Sequence, residues 1–274
     1  MVFIIIGSVI VFLCAVVLFM IMPGHGCKAE KKVFDHLNIA HRGLHTADKK
    51  TPENSLAAFS AAAEAGYGIE MDIQFTKDKQ IVVFHDDTLD RVCGVPGRVD
   101  NYTYEELEGF RLEGTQEKIP LFTDFLSLVD GRVPLLIELK HGKDNTLLCE
   151  RAMEVLRDYK GDFCIESFNP FIVGWFKKHE PRILRGQLSA PKKEFVGTVP
   201  AWQGFMLSHL LTNVIARPHF VAYNKEKHSI LAKLCDKLGA MRFVWTVRGE
   251  DDHKDLEKRN DAMIFELYRP SVRY

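Results

Sequence analysis

Residues 68–86 read GIEMDIQFTKDKQIVVFHD. Two runs rich in β-branched and aromatic residues, Gly68–Phe75 and Ile81–His85, are parted by five residues, Thr76 to Gln80. A parallel crossover needs a dozen or more residues, so the two runs are expected to pair as an antiparallel hairpin. The two-residue period of a strand points Glu70 and Asp72 to one face of the first run. If Phe75 and Thr76 pair near Gln80 and Ile81, His85 falls opposite Asp72 on that face.

Outward from the hairpin, further strands are expected at Asn38–His41, Pro134–Leu139, Phe163–Glu166, Ile183–Leu188, Phe220–Tyr223, Arg242–Val247 and Ala262–Phe265. Helical segments fall between most of them. Ser55–Ala65 is alanine-rich with Asn54 as a cap, and Thr146–Tyr159 and Lys227–Leu238 carry 3.6-period apolar stripes. Such alternation argues for a parallel sheet covered by helices. With the hairpin's return strand set aside, eight strands remain, the number in a (β/α)8 TIM barrel. An open doubly wound sheet is the alternative. The stretch from Asp86 to Thr123 is too long for a simple loop and holds the turn residues Cys93-Gly94-Val95-Pro96-Gly97. It is expected to form a small insertion, at about 87–123, over one barrel face.

The first 22 residues carry no charged side chain, and residues 2–22 read VFIIIGSVIVFLCAVVLFMIM. As a helix this run is about 31 Å long, enough to cross a bilayer's hydrocarbon core. It exceeds the apolar region of a cleaved signal peptide, and no Ala-x-Ala-like site follows. Residues 1–32 are therefore expected to be a transmembrane anchor with its basic flank, and 33–274 one barrel domain. Lys28, Lys31 and Lys32 follow the span, which places the barrel in the cytoplasm by the positive-inside rule. The six cysteines show no CxxC pair and read as reduced thiols. With 36 basic and 37 acidic side chains there is no basic excess to bind nucleic acid.

Polar residues gather at expected strand ends, where barrel enzymes place their sites. They are His41 and Arg42 after the first strand, Glu70 and Asp72 in the second, His85 in the hairpin, and Glu138 and Lys140 at the end of Pro134–Leu139. Three oxygen-only carboxylates suit a hard cation, Ca²⁺ or Mg²⁺. The guanidinium and ammonium suit a phosphate, and two histidines suit acid–base work near neutral pH. A structural network of Glu70 and Asp72 with Lys140 and Arg42 is the bland reading of the same residues.

The chain resembles the glycerophosphodiester phosphodiesterase family. The resemblance rests on His41-Arg42-Gly43, Pro52-Glu53-Asn54-Ser55, Glu70-Met71-Asp72, Thr76-Lys77-Asp78 and Val82-Val83-Phe84-His85-Asp86. It continues through Glu138-Leu139-Lys140, Ser167-Phe168 and Trp245-Thr246-Val247, so that it covers roughly residues 36–270. It implies a TIM barrel with a small insertion after the His-Asp strand, and metal-dependent cleavage of glycerophosphodiesters to glycerol 3-phosphate and an alcohol. Carried over by position, it implies His41 and His85 as the catalytic pair and Glu70, Asp72 and Glu138 as metal ligands. Arg42 and Lys140 fall on phosphate-contacting positions, with Glu53 near the metal and Asn54 near the phosphate. The family's Thr-Asp ending of the last strand is replaced here by Phe265-Glu266.

The expected substrate is a small-molecule or lipid-derived phosphodiester, lysophospholipids included. His41 is expected to act as base and His85 as acid. The rival readings are a phosphoinositide-type lyase that stops at a cyclic phosphate, and a membrane-tethered phosphate-binding module without catalysis. Trp175 and Trp202 are expected to pack on the barrel rather than meet an acyl chain.

Overall fold

The computed structural model describes residues 2–226 and 228–274. Its strands are β1 (Leu37–Ala40), β2 (Gly68–Phe75), β3 (Ile81–Val83), β4 (Leu135–Leu139), β5 (Phe163–Ser167), β6 (Arg185–Ser189), β7 (Phe220–Asn224), β8 (Met241–Val247) and β9 (Ala262–Phe265). All but β3 are parallel neighbours, and β9 and β2 both pair with β1, closing an eight-stranded barrel rather than an open sheet. Helices cover the outside of this TIM barrel.

The hairpin forms as expected, but its second strand stops at Val83. Ile69 pairs with Ala40 on one edge and Leu135 on the other, while Ile73 pairs with Val83 and Leu139. β3 therefore takes over the edge of β2 at the height where β1 ends. The pairing of Ile73 with Val83 puts Phe84, not His85, opposite Asp72, and the Phe84 amide donates to the Asp72 carbonyl at 2.9 Å. His85 reaches the barrel mouth only because the ladder ends before it.

Other limits shift by a few residues. Pro134 lacks an amide proton and stands before β4, and β6 begins at Arg185 rather than Ile183. The helix Leu56–Glu64 is capped by Ser55, whose hydroxyl accepts from the Ala58 amide at 3.1 Å, and not by Asn54. Asn54 instead adopts a left-handed φ of 53° and turns its side chain into the barrel mouth. The expected helices at 146–159 and 227–238 are Asn145–Leu156 and Ile230–Lys237. Lys227 lies outside the described residues.

Strand parity sorts the side chains. In β2 and β4, Ile69, Met71, Ile73, Leu135, Ile137 and Leu139 join the layer between strands and helices. The alternate positions face the barrel interior, whose lower part is filled by Leu37, Ile39, Leu136, Cys164, Phe220, Phe243 and Ile264. Gly186 makes room for this filling. A Cβ there would lie 2.0 Å from the Phe220 ring, which is itself stacked on Phe243 at 4.2 Å.

Between β3 and the helix Phe122–Val129, short helical turns enclose a small core of their own, with Val82 and Phe84 packed on Leu89, Val99, Leu107 and Leu112. At the other end of the molecule the helix Val2–Ile21 has mean hydropathy 3.2 and is long and apolar enough to cross a membrane. Among the described residues, contacts to the barrel are made by its C-terminal end. Arg217 Nη1 donates to the carbonyls of Phe19 and Met22 at 2.7 and 2.9 Å, and the guanidinium lies 4.4 Å from the Phe19 ring. The Gly24 amide donates to Pro218 at 2.8 Å. These contacts lie near the N-terminal ends of β6 and β7, at the barrel floor. Trp175 is half-buried against the core, whereas Trp202 is 66% exposed and does not pack on the barrel as expected.

Replacing Gly186 by alanine should cost about 1–3 kcal/mol through overpacking against Phe220 and Phe243. Thermal denaturation measures this; an unchanged melting temperature would show that the floor has slack.

Candidate active site

The parallel register places carboxyl groups side by side. Asp72 on β2 is level with Glu138 on β4, which is level with Glu166 on β5. Glu70 lies one inward position below Asp72. All four are buried, and among the described residues two cations, Arg42 and Lys140, pair with them. Lys140 Nζ is 2.9 Å from Glu138 Oε1 and 3.3 Å from Asp72 Oδ1; Arg42 Nε is 3.5 Å from Asp72 Oδ2. Charged carboxylates without partners are costly to bury, and this imbalance sets the protonation pattern.

Burial, reinforced by Asp72, holds Glu70 well above the usual carboxylate range. Burial likewise raises Glu138, against the pull of Lys140. Glu166 is raised well above its ordinary value by burial and by Glu70, Glu138 and Asp72. Asp72 goes the other way: burial opposes ionisation, but Lys140, His85 and Arg42 together keep it well below the usual range. Lys140 stays charged, because Glu138 and Asp72 outweigh its desolvation.

One oxygen each from Glu70, Asp72 and Glu138 lie within 4.8 Å of one another. Asp72 Oδ1 and Glu166 Oε2 are buried and accept no hydrogen bond. Clustered oxygen donors, an excess of negative charge and an orphaned acceptor are together what a hard divalent cation satisfies. The residues present therefore fit such a cation.

His41 follows β1, and its amide donates to the Phe265 carbonyl at 2.8 Å. Because Ala40 pairs with Phe265, the next residues on the two strands, His41 and Glu266, meet side by side. His41 Nδ1 lies 2.6 Å from Glu266 Oε2, and its Nε2 is 3.9 Å from Glu70 Oε2. Burial, seconded by the adjacent Arg42 charge, pushes the imidazole down to about 4 despite Glu266. Burial works against Glu266 too, but its bond to His41 holds it well below the ordinary value, with the Arg248 charge assisting.

The chain then turns sharply. Arg42 and Gly43 have φ of 54° and 78°, and a Cβ on Gly43 would lie 2.9 Å from Ala58. That turn aims the Arg42 amide at Glu70 Oε2, 2.8 Å away, and sends the guanidinium to Glu53 Oε1 at 2.7 Å. Asn54 Nδ2 donates to Asp72 Oδ2 at 2.9 Å.

His85 is oriented in the same manner as His41: its Nδ1 lies 2.6 Å from Asp86 Oδ1. Arg91, from the segment after β3, donates to Asp86 at 2.7 and 3.0 Å and to both Glu53 oxygens at 2.7 and 2.8 Å. His85 is thereby tied through Asp86, Arg91 and Glu53 to Arg42. Burial opposes the charge on Glu53, but the two arginines hold it down at about 2.

The nine residues named from the sequence thus gather at one barrel mouth: His41, Arg42, Glu53, Glu70, His85 and Glu138 line a cleft of about 380 Å³, and Asn54, Asp72 and Lys140 join it through their bonds and ion pairs to one another and to Glu138. One wall is ionic; the other is apolar, with Phe168, Leu188, Trp245 and Ile264. Sequence reading missed Glu166, Glu266, Asp86 and Arg91. Parity would have found the first two, since Glu166 continues Cys164 and Glu266 continues Ala262 and Ile264 on the inward side. Arg91 had no signal, as only tertiary packing folds its segment back over the mouth.

Residues 41–265 match the model of the Glycerophosphoryl diester phosphodiesterase family. A glycerophosphodiester phosphodiesterase of Caldanaerobacter subterraneus subsp. tengcongensis is 31% identical over 251 residues, covering 83% of this chain and 93% of that one. The lysophospholipase D GDPD1 of Rattus norvegicus is 31% identical over 144 residues, 48% of this chain and 44% of its own. Among solved structures, an Oleispira antarctica phosphodiesterase in complex with sn-glycerol-3-phosphate superposes with a TM-score of 0.69 at 24% identity, covering 87% of this chain and 95% of that one. Matched over most of its length by the family model and by a 31% identical relative, the chain belongs to the glycerophosphoryl diester phosphodiesterase family.

Proposed function

We propose that the protein hydrolyses glycerophosphodiesters to glycerol 3-phosphate and an alcohol, with a divalent cation held by Glu70, Asp72 and Glu138. The observation that carries this reading is the pair of carboxylate-oriented histidines flanking an acidic cluster with two fixed cations. When bound, Ca²⁺ or Mg²⁺ supplies Lewis-acid polarisation of a phosphoryl oxygen. Arg42, which lines the cleft, and Lys140, held against Asp72 and Glu138, stabilise charge developing on the equatorial oxygens. Glu53 and Asn54 act behind them, holding the Arg42 guanidinium and the Asp72 carboxylate in place.

His41 suits the base. Burial keeps its ring neutral at physiological pH, and Glu266 at Nδ1 leaves Nε2 with the free lone pair. It takes the proton of the attacking hydroxyl, from water or from the substrate's own glycerol. His85, more exposed and braced by Asp86, protonates the leaving alkoxide. A lyase would halt at a cyclic phosphate, and phosphorus NMR of the products distinguishes that outcome.

The apolar wall of Phe168, Leu188, Trp245 and Ile264 favours an alcohol or acyl group of some bulk, so lysophospholipids belong among the substrates to be tried. In this reading the helix Val2–Ile21 tethers the enzyme to a membrane, with Lys28, Lys31 and Lys32 keeping residues 33–274 on the cytoplasmic side. The tether joins the barrel floor, opposite the cleft.

Hydrolysis of glycerophosphocholine, glycerophosphoethanolamine and lysophosphatidylcholine, assayed with Ca²⁺, Mg²⁺ or EDTA, tests the reaction and its metal. Alanine at His41 or at His85 should lower the rate about 100-fold or more with the circular dichroism spectrum unchanged; near-normal turnover in both variants would sink the scheme. Glu266→Gln should cost tenfold or more in kcat with little change in KM, because it unseats the His41 tautomer without touching substrate.

Stability carries a further signature. Glu70, Glu138 and Glu166 are raised in the folded protein, so their contribution is present at low pH and lost as pH rises through their folded-state values. In EDTA the melting temperature should therefore fall as pH rises above the ordinary carboxylate range, and saturating Ca²⁺ or Mg²⁺ should remove that fall. A pH-independent melting temperature in EDTA would contradict the charge imbalance.

A further inference from the structure

Beside the all-oxygen cluster, the cleft holds a second donor set of different chemistry. His41 and His45 leave the same turn, four residues apart, and Glu266 stands across from both. One donor atom from each lies within 4.8 Å of the other two. His41 Nδ1 is 2.6 Å and His45 Nε2 3.8 Å from the single oxygen Glu266 Oε2. The other carboxylate oxygen is engaged by Arg248, whose Nε and Nη2 lie 2.8 and 2.5 Å from it. His45 Nε2 is the unexplained atom: it is buried, has no hydrogen-bond partner, and is too far from Glu266 to bond. The reaction described above has no use for it.

We propose that His41, His45 and Glu266 form a second metal site, selective for a transition cation such as Zn²⁺, whose filling switches the enzyme off. Two imidazoles and one monodentate carboxylate are a zinc-type donor set, with a fourth position open to the cleft. Zinc–ligand distances of about 2.0–2.2 Å in tetrahedral array put donors about 3.3–3.6 Å apart. The 2.6 Å contact would open and the 3.8 Å one would close, each by under an ångström. The hard cation has its own oxygen cluster on Glu70, Asp72 and Glu138, so donor type sorts the two metals.

The inhibitory step follows from the imidazole tautomers. Poised as base, His41 carries its proton on Nδ1 toward Glu266 and keeps the Nε2 lone pair free. Zinc takes the Nδ1 lone pair, and the ring's one proton then resides on Nε2. The ring stays neutral, no proton is released, and the base is gone while the carboxylate cluster is untouched. The inhibition, though not the binding, rests on the proposed hydrolase reading.

The test uses the full chain in excess Mg²⁺, titrated with Zn²⁺. Bound zinc is counted by equilibrium dialysis, its ligands are read by X-ray absorption, and turnover of a glycerophosphodiester is followed in parallel. Wild type should bind zinc through nitrogen ligands and lose turnover as that zinc binds. His45→Ala and the volume-keeping His45→Phe should retain turnover in Mg²⁺ and need at least about tenfold more zinc for half-inhibition. Zinc binding without nitrogen ligands, or equal zinc sensitivity in both variants and wild type, would overturn the site. Absence of any wild-type hydrolysis would instead refute the hydrolase reading, since dialysis and absorption report zinc without turnover.

Discussion

Everything at the barrel mouth depends on one constraint: three neighbouring parallel strands hold Asp72, Glu138 and Glu166 level with one another inside a closed barrel. Parallel register is set by backbone hydrogen bonds along each strand, so these carboxyl groups cannot move apart without breaking the ladder. Beneath them lies an apolar floor of Leu136, Phe220 and Phe243 that offers no donor. The charge must therefore be met from above. Arg42 and Lys140 meet part of it, the raised proton affinity of Glu70, Glu138 and Glu166 reflects what they leave unmet, and the clustered oxygens fit a divalent cation.

The two histidines are positioned by different means with the same result. His41 gains Glu266 through barrel closure, because β1 and β9 are the strands that join first to last. His85 gains Asp86 locally, and the Arg91 clamp fixes both. Each ring presents Nδ1 to a carboxylate, which defines the tautomer of a neutral imidazole. Where the family commonly ends its last strand in Thr-Asp, Glu266 stands at the end of β9 in this chain and still reaches His41.

The barrel also separates the long apolar helix from the cleft. Arg217, Gly24 and Pro218 hold the C-terminal end of Val2–Ile21 at the N-terminal ends of β6 and β7, while the cleft opens at the C-terminal ends. The apolar helix and the cleft stand at opposite ends of one barrel.

The sequence by itself determined much of this. The five-residue gap dictates the hairpin, seven further alternating runs together with the hairpin's first strand point to the barrel, and the two-residue period puts Glu70 and Asp72 on one face. These are local properties, readable because strand period and loop length are fixed by backbone geometry. What only the tertiary structure decided are the relations between distant segments. Phe84 rather than His85 faces Asp72 because pairing stops at Val83. Asn54 gives up the helix cap to Ser55 because its side chain is drawn to Asp72. Glu266 meets His41 across 225 positions of chain because the barrel closes on itself. A closed sheet brings the two ends of the chain into hydrogen-bonding register, and no local pattern encodes that meeting.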